Sequence, residues 1–291
     1  MTDPRARLRA ERSRKAVDAA VALAREHGVA CGEPVVLNDL FSLMVHLHPA
    51  PVVARVTTSL SKLRPSIGGW HEREIAATTY LAGQGAPVVT PSAELPPGPH
   101  EYDGFPISFW TYLEPDPGRL PTTADCAALL VDLHATLRSY PGDVPTYLAD
   151  DMPALMTLLD QADGVVDQDD VERIGEAHER LRSMWESPDG ELQPLHGDAH
   201  PGNIMSTSAG FVWIDFEDIC RGPVEWDFAA MWDRDAVERH HRPDPELLAR
   251  CTELRALQVV LSLIAFDDDF GDIEGWAEGI RGMLDALGPT T

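Results

Sequence analysis

Two short stretches hold the side chains best suited to chemistry. They are Leu195-His196-Gly197-Asp198-Ala199-His200-Pro201-Gly202-Asn203 and Phe211-Val212-Trp213-Ile214-Asp215-Phe216-Glu217. Two acids and an amide stand between apolar runs. That set suits phosphoryl transfer, in which a protein aligns donor and acceptor, holds a hard cation on the phosphates and orients the acceptor proton. Asp198 fits the proton-orienting role, and Asn203 and Asp215 offer oxygen ligands for magnesium. Pro201-Gly202 is a turn that lets Asn203 face back toward Asp198. Ile214 and Phe216 can anchor Asp215 against a core. His196 is expected to tie the loop together by donating from a ring nitrogen to a backbone carbonyl or a carboxylate, and His200 to orient the loop or touch the acceptor. A lone Asp in a turn is usually only a turn residue, and the specificity comes from the combination. A metallohydrolase is the competing chemistry, because His196-x-Asp198-x-His200, with Asp215 and Asp227, offers metal ligands. The Pro-Gly-Asn that follows has no role there. His240-His241 sits in a charged segment that reads as surface.

The elements around these residues can be read from periodicity and turn chemistry. Residues 5–27 have helical spacing, with Val17, Ala20, Val21 and Ala24 on one face and Gly28 as the stop. Val35-Val36-Leu37, Phe41 to Val45 and Val52 to Val56 read as strands of an antiparallel sheet, with Asn38-Asp39 as the first turn. Residues 70–82 read as a helix ended by Gly83-Gln84-Gly85. Pro87 to Pro99 is an irregular connection, and Phe105 to Leu113 is a strand. Pro115-Asp116-Pro117-Gly118 breaks the chain. Beyond it the pattern turns helical. Ala127, Leu130, His134 and Leu137 share a face, 154–160 is a short helix, and Val171, Ile174, His178, Leu181 and Trp185 recur at helical steps. A helix is expected over 223–232. The stripe Leu247, Cys251, Leu254, Leu257, Leu261 and Ile264 marks a long helix, and 275–287 a last short one.

The totals narrow the function classes. With 291 residues the chain is long enough for one large domain or two lobes. Forty-eight acids against 23 Lys+Arg give a formal charge of −25. That field disfavours nucleic acid and anionic membranes and attracts cations. No apolar run approaches a membrane span, and no signal-peptide core follows the N-terminus, so the expected location is cytoplasmic. The four cysteines are widely spaced and form no metal-type pair. Oligomeric state is not legible.

His196 to Asn203, Trp213-Ile214-Asp215-Phe216-Glu217, and Arg221-Gly222-Pro223-Val224-Glu225-Trp226-Asp227-Phe228-Ala229 together resemble the aminoglycoside phosphotransferase family. The resemblance runs from about residue 30 to 285 and implies an α+β, protein-kinase-like bilobal fold. That means a small mixed N-terminal lobe with an antiparallel sheet and a larger, mainly helical C-terminal lobe. The expected division is an N-terminal helix at 1–27, a nucleotide lobe at 28–114 ending in a hinge, and a catalytic and substrate lobe at 115–291. The resemblance also implies ATP and magnesium as cofactors and a small-molecule acceptor. Asp198 takes the catalytic position, Asn203 and Asp215 the metal positions, and Asp227 the position of a buried acid that holds the catalytic loop. Phe109 to Glu114, with Trp110 and Tyr112, corresponds to the hinge that meets adenine. Glu74, with Glu72 as rival, corresponds to the helix glutamate that pairs with the phosphate-binding cation.

Three departures stand out. Arg55 occupies the usual lysine position and is not geometrically equivalent to lysine. No Gly-x-Gly-x-x-Gly loop is present, so the turn bearing Asn38 would have to cover the phosphates. Phe216-Glu217 follows Asp215 without a long activation segment, which favours a small-molecule acceptor over a protein. These features keep a second reading open, a kinase-fold nucleotide-binding protein with a regulatory role. The acids Asp267, Asp268, Asp269, Asp272 and Glu274 could meet a cationic acceptor or simply be a solvated helix end. Trp226, Trp232 and Trp276 suit a pocket wall or a core.

Overall fold

The computed structural model describes residues 4–64, 67–159, 164–188 and 190–288. The chain divides into two compact units. The first comprises Met1–Pro121, Ser139–Gly142 and Gly202–Asp218, and the second Thr122–Arg138, Asp143–Pro201 and Ile219–Thr291. They are the mixed-sheet lobe and the mainly helical lobe of a protein-kinase-like bilobal fold.

In the first unit, helix α1 (Pro4–Glu26) lies on a sheet formed by β1 (Val35–Asp39), β2 (Ser42–His46), β3 (Val52–Thr57), β4 (His100–Tyr102) and β5 (Phe105–Thr111). The sheet is antiparallel in the order β1-β2-β3-β5-β4. Side chains alternate along a strand. Val52, Ala54 and Val56 therefore pack under α1 with Ala16, Ala20, Leu23 and Phe109. Val53 packs on the other face with Trp110 and Val89, and Arg55 shares that face. The Pro87–Pro99 connection carries no strand, as its prolines dictate.

One element differs from its sequence pattern. Asn38 and Asp39 are not a turn. They extend β1, pairing with Met44 and Leu43 after an irregularity between Val36 and Asn38, and the chain reverses at Leu40-Phe41. The bulge absorbs one residue of register, so the ladder continues past the residues whose turn propensity is highest.

Helix α2 (Ile67–Gly83) buries His71, Glu74, Thr78 and Leu81, steps of three and four that form one face. The chain returns to this unit at Gly202, where a 3-10 turn (Pro201–Asn203) leads into a hairpin of β7 (Ile204–Thr207) and β8 (Gly210–Trp213). Ile214 N–H donates to the Asn203 carbonyl at 3.0 Å, so the base of the hairpin sets Asn203 beside the residue before Asp215.

The second unit is built on α9 (Pro245–Ala265), whose apolar side is buried by Leu248, Cys251, Leu254, Leu257, Val260, Leu261 and Ile264. Against it stand α4 (Asp151–Leu159), α5 (Gln168–Leu181), α7 (Glu225–Ala229), α10 (Asp267–Phe270) and α11 (Trp276–Ala286), and the unit also holds α3 (Thr123–Leu137), which packs on α8 (Arg234–His240), and α6 (Ser183–Glu186). Thr122 and Asp125 close a reciprocal capping box at the start of α3. Trp185 belongs to α6 and not to α5, and residue 160, the expected end of α4, lies outside the described residues. The expected helix over 223–232 is the shorter α7. Strand β6 (Gln193–Leu195) pairs antiparallel with β9 (Cys220–Gly222) and delivers the chain to His196.

Candidate active site

The predicted residues fall in both units. In the first, Arg55 is 5% exposed. Its Nη1 donates to both carboxylate oxygens of Glu74, at 2.9 and 3.0 Å, and its Nη2 to Asp215 Oδ1 at 2.7 Å. Glu217 also faces Nη2, at 2.7 Å. Glu74 is thereby the helix partner of Arg55, while Glu72 points to solvent. Glu74 further accepts from Phe216 N–H at 3.1 Å, which fixes the chain just after Asp215. Asp215 has φ of +65°, a left-handed conformation that aspartate tolerates better than most residues. Arg64 extends the cluster to Glu217 and Asp218.

Glu74, Asp215, Glu217 and Asp218 thus surround Arg55 and Arg64. Four carboxyl groups face two guanidinium groups, so full ionisation leaves an excess of negative charge. Burial pushes Glu74 up to about 7 against the pull of Arg55. It pushes Glu217 up to about 8 in the same way. Burial, with the neighbouring Arg55 and Arg64, depresses His71 to about 3, so its ring is neutral where Nε2 meets Thr57 Oγ1 at 3.0 Å. An excess of buried negative charge beside a carboxylate and an amide is what a hard divalent cation would relieve. The oxygen donors of Asp215 and Asn203 fit magnesium, which is usually held by one or two carboxylates plus phosphates. Among the described residues no three His, Cys, Asp or Glu side chains gather as an all-protein metal cage.

Arg55, Glu74, Asn203 and Asp215 line one cavity of about 350 Å³ within this unit, together with Asn38, Trp110 and Tyr112. Its apolar lining includes Val53, Val89, Met44, Met205 and Ile214. Tyr112 stacks flat on His46, ring centroids 3.6 Å apart, and Trp110 Nε1 donates to Ser108 Oγ at 2.9 Å. The amides of Thr111 and Tyr112 donate to Thr90 and Pro51, so a base would meet other backbone groups of this segment. Leu40 and Phe41 line the cavity at the true turn between β1 and β2.

In the second unit, β6 leads into a loop held by Asp227, which is fully buried. Asp227 Oδ2 accepts from His196 N–H at 3.0 Å, and Oδ1 from Gly197 N–H at 2.8 Å. His134 Nε2 lies 2.8 Å from Oδ2. Burial alone would raise the Asp227 carboxyl, but the His134 hydrogen bond, the two histidines and the Gly197 amide outweigh it and hold the group below its usual range. His134 was legible only as a polar residue on the buried face of α3. Gly197 has φ of +91°, which favours glycine. The Asp198 amide donates to His196 Nδ1 at 3.3 Å, which makes that ring nitrogen an acceptor. Asp198 Oδ2 lies 3.2 Å from His200 Nε2, and Oδ1 lies 3.5 Å from Arg255 Nη1. Burial again acts to raise the carboxyl, and His200, Arg255 and His196 together drive it well below the ordinary range.

Asp227→Asn keeps one acceptor oxygen where three donors converge. The expected loss is about 2–3 kcal/mol of stability, read by urea denaturation. The depressed carboxyl stabilises the fold above the ordinary aspartate range, and that contribution disappears as pH falls through its folded value. The variant should therefore differ least from the parent at the acid end.

Other predicted residues lie elsewhere. Asp267, Asp268 and Asp269 form α10 at the end of α9, with Asp268 and Asp272 exposed. Trp226 is buried under Arg255, Trp232 is 48% exposed, and Trp276 donates to the Leu263 carbonyl. His241 is not a surface residue. It is half-buried against Phe228 and its Nε2 meets the Ala127 carbonyl, while His240 is exposed.

The sequence profile of the phosphotransferase enzyme family matches residues 71–258. The chain belongs to this family. Among curated proteins it is 41% identical over 68 residues to the thiamine kinase of Salmonella paratyphi B. That match spans 23% of this chain and only 24% of the thiamine kinase. Solved structures share the fold at low identity. A choline/ethanolamine kinase family protein from Mesorhizobium loti aligns with a TM-score of 0.62 and 13% identity, covering 94% of this chain and 92% of the other. The choline kinase of Streptococcus pneumoniae gives 0.64 and 13%, covering 91% and 97%. An amicoumacin kinase gives 0.61 and 14%, covering 93% and 96%. Among the described residues no helix is long and apolar enough to cross a membrane.

Proposed function

We propose that this member of the phosphotransferase family is an ATP-dependent small-molecule kinase that phosphorylates a hydroxyl of an amine-bearing alcohol. The observation that carries the reading is the Arg55–Glu74–Asp215 network lining one cavity with Asn203. Arg55, braced by two carboxylates, presents positive charge to phosphate oxygens. Asn203 and Asp215 would hold magnesium, which when bound neutralises charge on the transferring phosphate. Asp198 accepts a hydrogen bond from the acceptor hydroxyl and takes its proton as the oxygen bonds to the γ-phosphorus and ADP leaves. A loose transition state asks little of the base, so Asp198 both orients the acceptor hydroxyl and takes its proton.

The amine is argued from charge and from the relatives. The chain carries −25, and its relatives are named as kinases of thiamine, choline or ethanolamine, and aminopropanol. Asp267, Asp268, Asp269 and Asp272, at the end of the helix whose Arg255 reaches the loop of Asp198, are the acids proposed to meet the cation. The test is transfer of labelled phosphate from ATP to a panel of thiamine, choline, ethanolamine and kanamycin. A labelled amino alcohol is expected. Changing the four acids to asparagine should raise the KM for that alcohol and leave the KM for ATP unchanged. Nucleotide binding with no labelled product from any alcohol would instead favour the regulatory reading kept open by Arg55 and the missing glycine loop.

A further inference from the structure

We propose that Arg255, on α9, is a positioning residue that orients Asp198 by gripping the Gly197–Asp198 peptide. The inference rests on the reading of Asp198 as the residue that orients the acceptor hydroxyl. Neither the family motif nor the spacing of the loop points to Arg255, which lies 57 residues beyond Asp198.

Arg255 interrupts an apolar helix face. It is 3% exposed, between Leu254 and Ala256 and within a stripe that includes Cys251, Leu257 and Leu261. A guanidinium in that position is costly unless its protons are matched. The partners it has found belong to the catalytic loop and its support. Nη2 donates to the Gly197 carbonyl at 2.7 Å and to the Trp226 carbonyl at 3.3 Å. Nη1 donates to Gln258 Oε1 at 2.8 Å and lies 3.5 Å from Asp198 Oδ1. The guanidinium carbon sits 3.7 Å from the centre of the Trp226 ring. The planar fork is therefore fixed by stacking on one face and by acceptors along its edge, a geometry that lysine cannot reproduce.

The consequence lies in the backbone. Gly197 donates its N–H to Asp227 and offers its carbonyl to Arg255, so the residue is gripped from both sides at φ of +91°. The next amide, that of Asp198, donates to His196. Both polar groups of the Gly197–Asp198 peptide are thus engaged, and the direction in which the Asp198 side chain leaves the loop is set before any acceptor binds. The charge of Arg255 acts in the same sense. Asp198 is faced by His200, His196 and Arg255, and Cys126 also lies close enough to interact with it.

The test uses the full chain with aspartate labelled at the carboxyl carbon. The Asp198 resonance is identified by its loss in Asp198→Asn. In the parent protein it should remain ionised below the ordinary aspartate range. In Arg255→Met its midpoint should rise by about one unit or more, since a cation within a few ångströms is removed. Turnover is read as magnesium-ATP hydrolysis, with water as the acceptor, so it does not depend on knowing the alcohol. It should fall about 100-fold while the KM for ATP stays the same, as expected for a misplaced catalytic group. Arg255→Lys keeps the charge and loses the fork, so the midpoint should stay low while turnover falls about tenfold. A folded Arg255→Met protein with unchanged Asp198 titration and unchanged turnover overturns the proposal. Should Arg255→Met fail to fold, Arg255→Lys decides, and parental turnover in that variant overturns it. Failure of the kinase reading looks different. Parent and Asp198→Asn would then hydrolyse ATP equally, and the titration alone would decide whether Arg255 holds Asp198.

Discussion

Replacing Asp198 by asparagine lowers phosphoryl transfer about 10²- to 10⁴-fold, the range for losing a positioned proton-transfer group. Asparagine preserves the shape of the side chain and can still meet His200, so the loop amides keep their places on Asp227. What disappears is the anion that accepts the acceptor proton. The fall should appear in kcat, because an interaction that grows as the proton moves is worth more in the transition state than in the ground state. Nucleotide affinity should not move, since the cavity containing Arg55, Asn203 and Asp215 has no contribution from Asp198. The check pairs initial rates of labelled phosphate transfer with calorimetric binding of magnesium-ADP. Full turnover in Asp198→Asn would remove this residue from the mechanism. Lost binding with no change in kcat would relocate its role to the nucleotide.

Arg55→Met is expected to cost about 3–5 kcal/mol of stability, the range for removing one partner of a buried ion pair. Three carboxyl groups, Glu74, Asp215 and Glu217, lie against this one guanidinium. Without it, Glu74 and Glu217 relieve their burial by taking up protons. The sign with pH follows from that. Both groups already have folded values raised above the ordinary glutamate value, to about 7 and about 8. A raised carboxyl favours the folded state at low pH and loses that contribution as pH rises through its folded value. The Arg55→Met penalty should therefore be smaller near pH 5 and larger near pH 8. Urea denaturation at the two values reads the difference, and Arg55→Met/Glu217→Gln should recover part of it. Nucleotide binding should also weaken, because the cation proposed to meet the phosphates is gone. A pH-independent penalty below about 1 kcal/mol, the ordinary size for an exposed pair, would show that Arg55 is not the centre of this cluster.

Much of the architecture is legible in local patterns. Alternation along Val52-Val53-Ala54-Arg55-Val56 separates Arg55 and Val53 from Val52, Ala54 and Val56, and the fold shows that α1 covers the latter face. Three- and four-residue steps define α2, α5 and α9, and Pro and Gly mark where elements stop. The Asn38-Asp39 turn fails for a physical reason. Turn propensity is a local preference, and pairing with Leu43 and Met44 in the ladder outweighs it once a bulge restores register.

The sequence by itself determined which residue types stand in the loop after β6 and at the end of β8, and with them the family to which the chain belongs. Tertiary structure decided the partners. Arg55 meets Glu74, 19 positions away, and Asp215, 160 positions away. The choice between Glu74 and Glu72 follows from which face of α2 is buried. Asp227 finds His134 across 93 positions, and Arg255 reaches Gly197 across 58. Helical and strand periodicity describe neighbours a few residues apart. The partner of a buried charge is chosen by which donors and acceptors packing brings within about 3 Å, and that choice belongs to the whole fold.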